Sequence, residues 1–327
     1  MTLNSLISIA PMMQWTDRHF RYLMRLIAPH ALLYTEMVTA NAILHGDPSY
    51  LLNFNELEHP VVLQLGGSDS SLLAQAAAIG QQFNYDAINL NVGCPSDRVQ
   101  NAEMGACLMA KPQLVAECVA AMQEKVAMPV TVKTRIGIDH QDSYSFLVDF
   151  IGTVAERGCK TFIIHARKAW LKGLSPKQNR TIPEINYERV YRLKRDFPQL
   201  TIIINGEIAT REAVLHHLTQ VDGVMIGREA YHNPYFIAEL EQHLWPEQAL
   251  RSRNQVVQEM MPYIEEQLKQ GIKLKHMTRH LLGLFHNQPG ARLWRRYLTE
   301  HSLNNQAGVE VIEEALNLVN HYSNQAA

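Results

Sequence analysis

A single cysteine stands in a polar loop directly after an apolar run in the first third of the chain. The run Ala87–Asn91 is followed by Gly93, Cys94 and Pro95, and then by a charged pair. Reactive groups of α/β enzymes lie at such positions, just beyond the ends of strands. Free cysteine is also among the most buried residue types, so the residue alone favours a core thiol over a catalytic one.

Nearly all of the other apolar runs in about the first 230 residues also have hydrogen-bonding or sulfur-containing residues at or just after their carboxyl-terminal ends. These residues are Met12-Met13, Glu36, Gln64, Asn89, Asn91, Lys133, Arg135, His165, Asn205 and Gly227-Arg228. If the strands are parallel and form a barrel, their ends meet at one mouth, where the active sites of such folds lie. The pattern therefore predicts an enzyme.

Glycines follow the last two of these runs, in Asn205-Gly206-Glu207 and in Gly227-Arg228. The loops after the seventh and eighth strands of a barrel commonly bind phosphate, because glycine lets backbone N–H groups approach and arginine adds charge. A glycine after a strand is weak evidence by itself, since turns need glycine. Two at these strands favour a phosphorylated cofactor or substrate.

Eight short apolar runs alternate with helical patterns such as Ser71–Phe83 and Gln113–Val126. The runs are Leu6–Ala10, Leu32–Glu36, Val61–Leu65, Ala87–Asn91, Val130–Arg135, Thr161–His165, Thr201–Asn205 and Gly223–Gly227. Continuous apolar runs are typical of strands buried on both faces of a parallel sheet. Eight strand–helix units in this length of chain predict a (β/α)₈ TIM barrel over residues 1–235. A doubly wound open sheet is the alternative, but the first run lacks the glycine-rich turn typical of that fold.

Residues 236–327 contain no convincing strand and predict a separate helical domain. In one helix Arg292, Arg295 and Arg296 fall on one face, while Trp294 and Leu298 are available to pack. Three arginines without neighbouring acids favour contact with phosphates of a nucleic acid. A merely solvated helix face is the simpler interpretation.

The net charge of −2 conceals two basic segments, each with nine Lys and Arg, at residues 165–195 and 251–300. Basic segments on an otherwise acidic chain indicate a localised site for a polyanion. The four cysteines form no C-x-x-C pair, which argues against a zinc site and a disulfide framework. No signal peptide and no apolar run of membrane-spanning length is evident. We therefore expect a cytoplasmic protein without membrane contact.

Seven motifs together resemble the tRNA-dihydrouridine synthases, which are flavoenzymes with an FMN-binding barrel and a C-terminal helical domain. They are Ala10-Pro11-Met12, Gln64-Leu65-Gly66-Gly67, Asn89-Leu90-Asn91-Val92-Gly93-Cys94-Pro95, Val132-Lys133-Thr134-Arg135, His165-Ala166-Arg167, Asn205-Gly206 and Gly227-Arg228. Segments such as Pro95-Ser96-Asp97-Arg98-Val99-Gln100 resemble the A-type bacterial branch in particular. Glu207 departs from the family, in which Gly or Asp is more usual.

The resemblance implies a cofactor site and a catalytic residue. The residues it assigns to FMN are Pro11, Met12, Met13, Gln64, Lys133, His165, Asn205, Gly206, Glu207, Gly227 and Arg228. NADPH (or NADH) would reduce the FMN, and hydride would pass from flavin N5 to C6 of a uracil. Cys94 would then protonate C5 as a neutral thiol and not as an activated thiolate.

The resemblance also implies a tRNA substrate, whose uridine must be drawn out of the folded RNA to reach the barrel. The residues that would contact tRNA are Asn91, Lys177, Arg180, Arg292, Arg295 and Arg296. The A-type branch acts in the D-loop, at positions 20 and 20a. We predict no stable protein partner and a monomer.

Two other functions compete with this one. A flavin barrel acting on a small molecule, such as a dihydroorotate-type dehydrogenase, would share the strand-end residues but leaves the basic helical extension without a use. An RNA-binding protein with an inactive barrel would bind no flavin.

Overall fold

The computed structural model describes residues 5–326 of the chain and divides them into two compact units. The first, called the barrel unit below, comprises residues 5–14 and 32–227. The second, the helical unit, comprises Trp15–Ala31 and residues 228–326. The helical unit therefore takes a segment from near the N-terminus as well as the end of the chain.

Nine strands form one parallel sheet in the barrel unit. They are β1 (Ile7–Ile9), β2 (Leu33–Tyr34), β3 (Val38–Thr39), β4 (Val61–Gly66), β5 (Ala87–Val92), β6 (Val130–Arg135), β7 (Thr161–His165), β8 (Thr201–Asn205) and β9 (Gly223–Ile226). The order is β1-β9-β8-β7-β6-β5-β4-β2, and β3 also pairs with β4. A parallel bridge between Ser8 and Leu32 closes the ring, with Ile9 N–H donating to Leu32 O at 2.9 Å.

The closed ring confirms the predicted TIM barrel and excludes the open sheet. Most of the strands have apolar sequences because they are buried on both faces, by the barrel interior and by the outer helices. One buried cluster takes residues from, or directly beside, seven of the nine strands: Ala10, Leu32, Tyr34, Val62, Ala87, Ile163, Ile203 and Met225. The two-residue strand β3 was not predicted, since two residues carry no periodicity.

Fifteen α-helices lie in the described residues. They are α1 (Arg18–Ile27), α2 (Ala40–His45), α3 (Pro48–Leu52), α4 (Ser70–Gln82), α5 (Asp97–Gln100), α6 (Pro112–Lys125), α7 (Tyr144–Glu156), α8 (Tyr187–Asp196), α9 (Arg211–Leu218), α10 (Arg228–His232), α11 (Tyr235–Leu244), α12 (Arg253–Lys269), α13 (Lys275–Leu281), α14 (Ala291–His301) and α15 (Glu310–Ala326). Helix α4 begins one residue before the predicted Ser71–Phe83, and Asp69 caps it by accepting from Leu72 N at 2.9 Å.

Helix α1 is held within the helical unit by a polar cluster. Asp17 caps α1 and also accepts from Arg279 Nη2 at 2.6 Å and pairs with His280 Nε2 at 3.0 Å. His19 Nδ1 lies 2.7 Å from the Tyr263 hydroxyl. Arg279 and His280 belong to α13 and Tyr263 to α12, so the contacts of α1 are with residues distant in sequence. The division of the chain thus differs from a single boundary at residue 235, and no local pattern could have shown it.

No helix in the part of the chain that the structure describes is both long and apolar enough to cross a membrane.

Candidate active site

The register of the sheet brings the polar strand ends together. Gln64 is paired with Asn89, Asn91 with Lys133, and Arg135 with His165. His165 is in turn paired with Asn205 across β7 and β8. Since all the strands are parallel, these residues share the carboxyl-terminal end of the barrel. The predicted convergence of strand ends is present.

A row of buried amides crosses from β4 to β6. Asn91 Nδ2 donates to Gln64 Oε1 at 2.9 Å, and Gln64 Nε2 donates to Asn89 Oδ1 at 2.8 Å. Asn89 Nδ2 continues the row to Thr131 Oγ1 at 2.9 Å. Buried amides held in this way keep one orientation, because each oxygen must face a donor. The row fixes Gln64 and Asn91, two of the predicted site residues.

The loop that carries Cys94 is held through its backbone. Asn91 Oδ1 accepts from the N–H groups of Gly93 at 3.1 Å and Cys94 at 3.0 Å. Cys94 O accepts from Ala106 N at 2.9 Å. The half-buried thiol itself has a single weak contact, Sγ to Ser96 Oγ at 3.5 Å. The cysteine is therefore fixed in position while its sulfur stays available for chemistry.

Cations are concentrated beside this loop. Arg135 is buried and donates from Nε to Gly93 O at 2.9 Å, and burial lowers its pKa to about 10. Burial and the neighbouring Arg135 lower the pKa of Lys133 to about 7, while its ammonium donates to Asn205 Oδ1 at 3.1 Å. A bound anion would raise the Lys133 pKa again. The site is electrostatically prepared for a negative group.

His165 is uncharged in this setting. Burial and the adjacent cations hold its pKa well below the ordinary value for histidine. Its Nδ1 is buried and has no hydrogen-bond partner among the described residues. A buried ring nitrogen without a partner costs free energy, so it marks a place where a ligand can supply one.

The loop after β8 has an unusual backbone at the predicted phosphate position. Gly206 has φ of +127° and Glu207 has φ of +52°, and a Cβ on Gly206 would come within 3.3 Å of Ile185. Tyr187 donates its hydroxyl hydrogen to Gly206 O at 2.8 Å, and the buried Arg167 forms an ion pair with Glu207. Glycine adopts a positive φ at no steric cost, which explains its place in this turn. The contact of this loop with a phosphate stays a prediction.

Five further predicted cofactor residues follow the neighbouring strands. Pro11, Met12 and Met13 come directly after β1, with Met13 59% exposed. Gly227 follows β9 and ends the barrel unit. Arg228 is the half-buried first residue of α10 in the helical unit, and its part in a phosphate site stays a prediction.

Two of the predicted RNA contacts, Lys177 and Arg180, lie in the long loop after β7 and are exposed. This loop is ordered around Asn179, which is fully buried and bonds to both the N–H and the O of Trp170 at 2.8 and 2.9 Å. The two cations therefore stand on a rigid loop at the mouth of the barrel.

In the helical unit, α14 has the predicted two-sided character. Trp294 and Leu298 are buried, and Trp294 Nε1 donates to Leu281 O at 2.8 Å. The three arginines Arg292, Arg295 and Arg296 are all exposed. The helix thus presents a basic face to solvent, as the spacing predicts.

Comparison with known proteins decides the family. The family model described as dihydrouridine synthase (Dus) matches residues 8–320. The chain belongs to the dihydrouridine synthase family. A tRNA-dihydrouridine(20/20a) synthase of Vibrio cholerae is 59% identical over 318 residues, which cover 97% of this chain and 97% of that protein. Proteins of the same name from Escherichia coli (59% identity, 95% of each chain) and Synechocystis (58%, 95% of this chain and 93% of the other) are similar over nearly their whole length.

A solved structure shows the same fold at low identity. A complex of 2-naphthoyl-CoA reductase with 2-naphthoyl-CoA matches with a TM-score of 0.55 and 11% identity, over 74% of this chain and 50% of that one. The predicted family and the prediction of an oxidoreductase are confirmed.

Sequence reasoning missed the residues that hold the site together. The sequence marks Arg135 only as a strand end and gives no structural role to Asn89, Arg167 or Asn179. Their partners lie far away in the chain, so no spacing rule could indicate them. The one available signal was their type: polar residues inside apolar runs must find partners when buried.

Proposed function

We propose that this protein reduces the C5–C6 double bond of uridines in the D-loop of tRNA, at positions 20 and 20a, with FMN as cofactor and NADPH (or NADH) as reductant. The names of the relatives support the substrate and the positions. The observation that carries the chemistry is the single thiol of Cys94, held by its backbone at the barrel mouth beside a cluster of cations.

The residues present fit FMN. Gly206 and Gly227 follow the neighbouring strands β8 and β9, where glycine would let backbone N–H groups approach a phosphate. Lys133 lies where it can stay charged once an anion is bound, and His165 has a buried nitrogen to satisfy. Gln64 can direct its second amide hydrogen, which the amide row leaves unused, toward a pyrimidine edge. Bound FMN would supply the hydride that adds to C6 of uracil.

The chain's own residues would complete the reduction. Addition of hydride at C6 places enolate-like charge toward C5, which requires a proton donor on that carbon. The S–H bond of Cys94 breaks as a C–H bond forms at C5, and the thiolate is reprotonated from solvent. Asn91 holds the Cys94 N–H and lies at the same end of the barrel, where it can also orient the base. The buried cations beside the loop stabilise the charge while it develops.

Binding of tRNA is the second part of the proposal. A uracil in folded RNA cannot enter a barrel without leaving its stack, so the enzyme needs surfaces that grip the backbone. Lys177 and Arg180 on the loop after β7 form one such surface. The exposed arginines of α14 form another, in the helical unit. We propose the barrel unit as the catalytic domain and the helical unit as the tRNA-binding domain. The cytoplasmic location and the monomeric state of the protein stay predictions.

Replacement of the thiol tests the chemistry. Cys94→Ala should retain bound flavin, its reduction by NADPH and tRNA binding, while dihydrouridine formation falls by about 100-fold or more. Cys107→Ala, which removes another half-buried thiol of the barrel unit, should leave all four unchanged. Loss of flavin in Cys94→Ala would instead show a structural role for Cys94.

Two measurements separate the competing functions. NADPH oxidation by the purified protein should depend on uridine-containing tRNA and not on free pyrimidines, which a small-molecule dehydrogenase would accept. Purified protein without flavin absorbance would favour an RNA-binding protein with an inactive barrel.

A further inference from the structure

We propose that Gln100 is a positioning residue for the Cys94 proton donor. It positions Cys94 by joining the cysteine loop to the loop after β7. The inference rests on the proposed function of Cys94. Gln100 is the last residue of α5, and its half-buried side chain turns back toward the loop from which the helix begins.

Both amide hydrogens of Gln100 are used. Nε2 donates to Pro95 O at 2.7 Å and to Leu171 O at 2.7 Å. Both distances are at the short end for N–H···O bonds. One amide therefore bridges the residue next to Cys94 and a residue on the other loop, 71 positions from Gln100 in the chain.

The contact at Pro95 completes the support of the cysteine. The carbonyls of three consecutive residues each accept one hydrogen bond: Gly93 from Arg135, Cys94 from Ala106, and Pro95 from Gln100. Arg135 holds the peptide that precedes the cysteine, Ala106 holds the Cys94–Pro95 peptide, and Gln100 holds the next one, between Pro95 and Ser96. Release of the Pro95 carbonyl would loosen the turn on the carboxyl-terminal side of the cysteine and with it the direction of the Cys94 side chain.

The contact at Leu171 reaches a firm anchor. Leu171 N donates to Asp139 Oδ1 at 2.8 Å, and the preceding residue, Trp170, is held on both sides by Asn179. Arg135 makes a second connection between the same loops, with Nη1 donating to Lys168 O at 3.1 Å and Asn179 O at 3.0 Å. The loop that carries Lys177 and Arg180 and the loop that carries Cys94 are thus one hydrogen-bonded body.

This arrangement has a functional consequence. A proton donor must lie within hydrogen-bond reach of the carbon it protonates, and a displacement of about 1 Å can cost about 100-fold in rate. If RNA is gripped on the loop after β7, Gln100 transmits that position to the sulfur. Reduction of the flavin does not involve the thiol, so only the RNA half of the reaction should depend on Gln100.

The test compares the same Gln→Met substitution at two positions and adds a rescue variant. Gln100→Met keeps the length of the side chain but removes both donors. Gln123→Met is the control, because Gln123 Nε2 also donates to a backbone carbonyl of the barrel unit, Gly158 O at 3.1 Å. Gln100→Lys restores donors at the same position and serves as the rescue variant.

We expect Gln100→Met to keep flavin content and NADPH-driven flavin reduction, while kcat for tRNA falls about 10- to 100-fold with little change in KM. Mass-mapped alkylation of Cys94 should become several-fold faster as the loop loosens. Gln123→Met should resemble the parent protein in all of these measurements, and Gln100→Lys should recover most of kcat.

Three results would overturn the inference: an unchanged kcat in Gln100→Met, an equal fall in Gln123→Met, or unchanged alkylation of Cys94 with a lowered kcat. If Gln100→Met does not fold, the kcat and alkylation rate of Gln100→Lys decide, since a donor-dependent position predicts values near the parent's. Cys94→Ala is assayed alongside. Retained turnover in that variant would refute the proposed function itself, whereas its loss beside an active Gln100→Met would refute only the role of Gln100.

Discussion

Replacement of Gly105 by alanine should displace the loop that carries Cys94. Gly105 opens the short 3-10 turn that follows α5, and its φ is +77°. An added Cβ would come within 2.5 Å of Cys94 O and 2.5 Å of Val99 Cγ1. One of these contacts is with backbone, which cannot rotate away. The Cys94 carbonyl must therefore move.

Two effects lower the stability of the Gly105→Ala variant. A left-handed φ in an L-residue costs about 1–2 kcal/mol. Displacement of Cys94 O also weakens its 2.9 Å hydrogen bond from Ala106 N, which is worth about 0.5–1.5 kcal/mol. We therefore expect Gly105→Ala to lower the free energy of unfolding of the barrel unit by about 2–3 kcal/mol.

Gly173 supplies the matched control, because it has φ of +83° and no heavy atom within 4 Å of an added Cβ. Gly173→Ala should show only the dihedral cost of about 1–2 kcal/mol and leave the alkylation rate of Cys94 unchanged. Denaturant unfolding and mass-mapped alkylation measure both effects. Equal destabilisation by the two substitutions, together with parent-like alkylation of Cys94 in Gly105→Ala, would refute the reasoning.

Two further predictions concern the helical unit. Arg295→Ala should weaken tRNA binding and reduce the slope of log Kd against log salt by about 0.7–0.9, because one phosphate contact is lost. His19→Gln should flatten the pH dependence of stability between about pH 6.5 and 4. Burial lowers the pKa of His19 to about 4, so the neutral ring stabilises the fold fully above the unfolded pKa of 6.5, and that contribution, at most about 3 kcal/mol, is lost as pH falls.

The Arg295→Ala and His19→Gln predictions each have a control substitution at an exposed residue. Arg157→Ala, at the end of α7, should leave the salt slope unchanged. An unchanged slope in Arg295→Ala would count against the basic face of α14 as an RNA contact. His243→Gln, in α11, should retain the parent's pH dependence. If His19→Gln retains it as well, the titration responsible lies elsewhere.

Local sequence pattern was sufficient to predict the barrel and to place Cys94 just after one of its strands. Strands β6, β7 and β8 have the predicted bounds. The apolar runs within β7 and β8 are recognisable because they reflect burial on both faces of the sheet. Cys94 could be singled out because it directly follows such a strand. The two-sided character of α14 could be predicted for the same reason, since a helix places residues three and four apart on one face.

Only the tertiary structure decided how the cysteine is held and where the units divide. Gln100 and Arg135 reach partners on the loop after β7, and Asp17 joins α1 to α13. Such contacts are between residues far apart in sequence, and their geometry depends on the closed barrel and on helix packing. Periodicity reports which face of an element is buried, but it carries no information on which distant donor meets which carbonyl. The sequence could therefore predict a cysteine at the mouth of the barrel, whereas the contacts that hold it there could not be predicted.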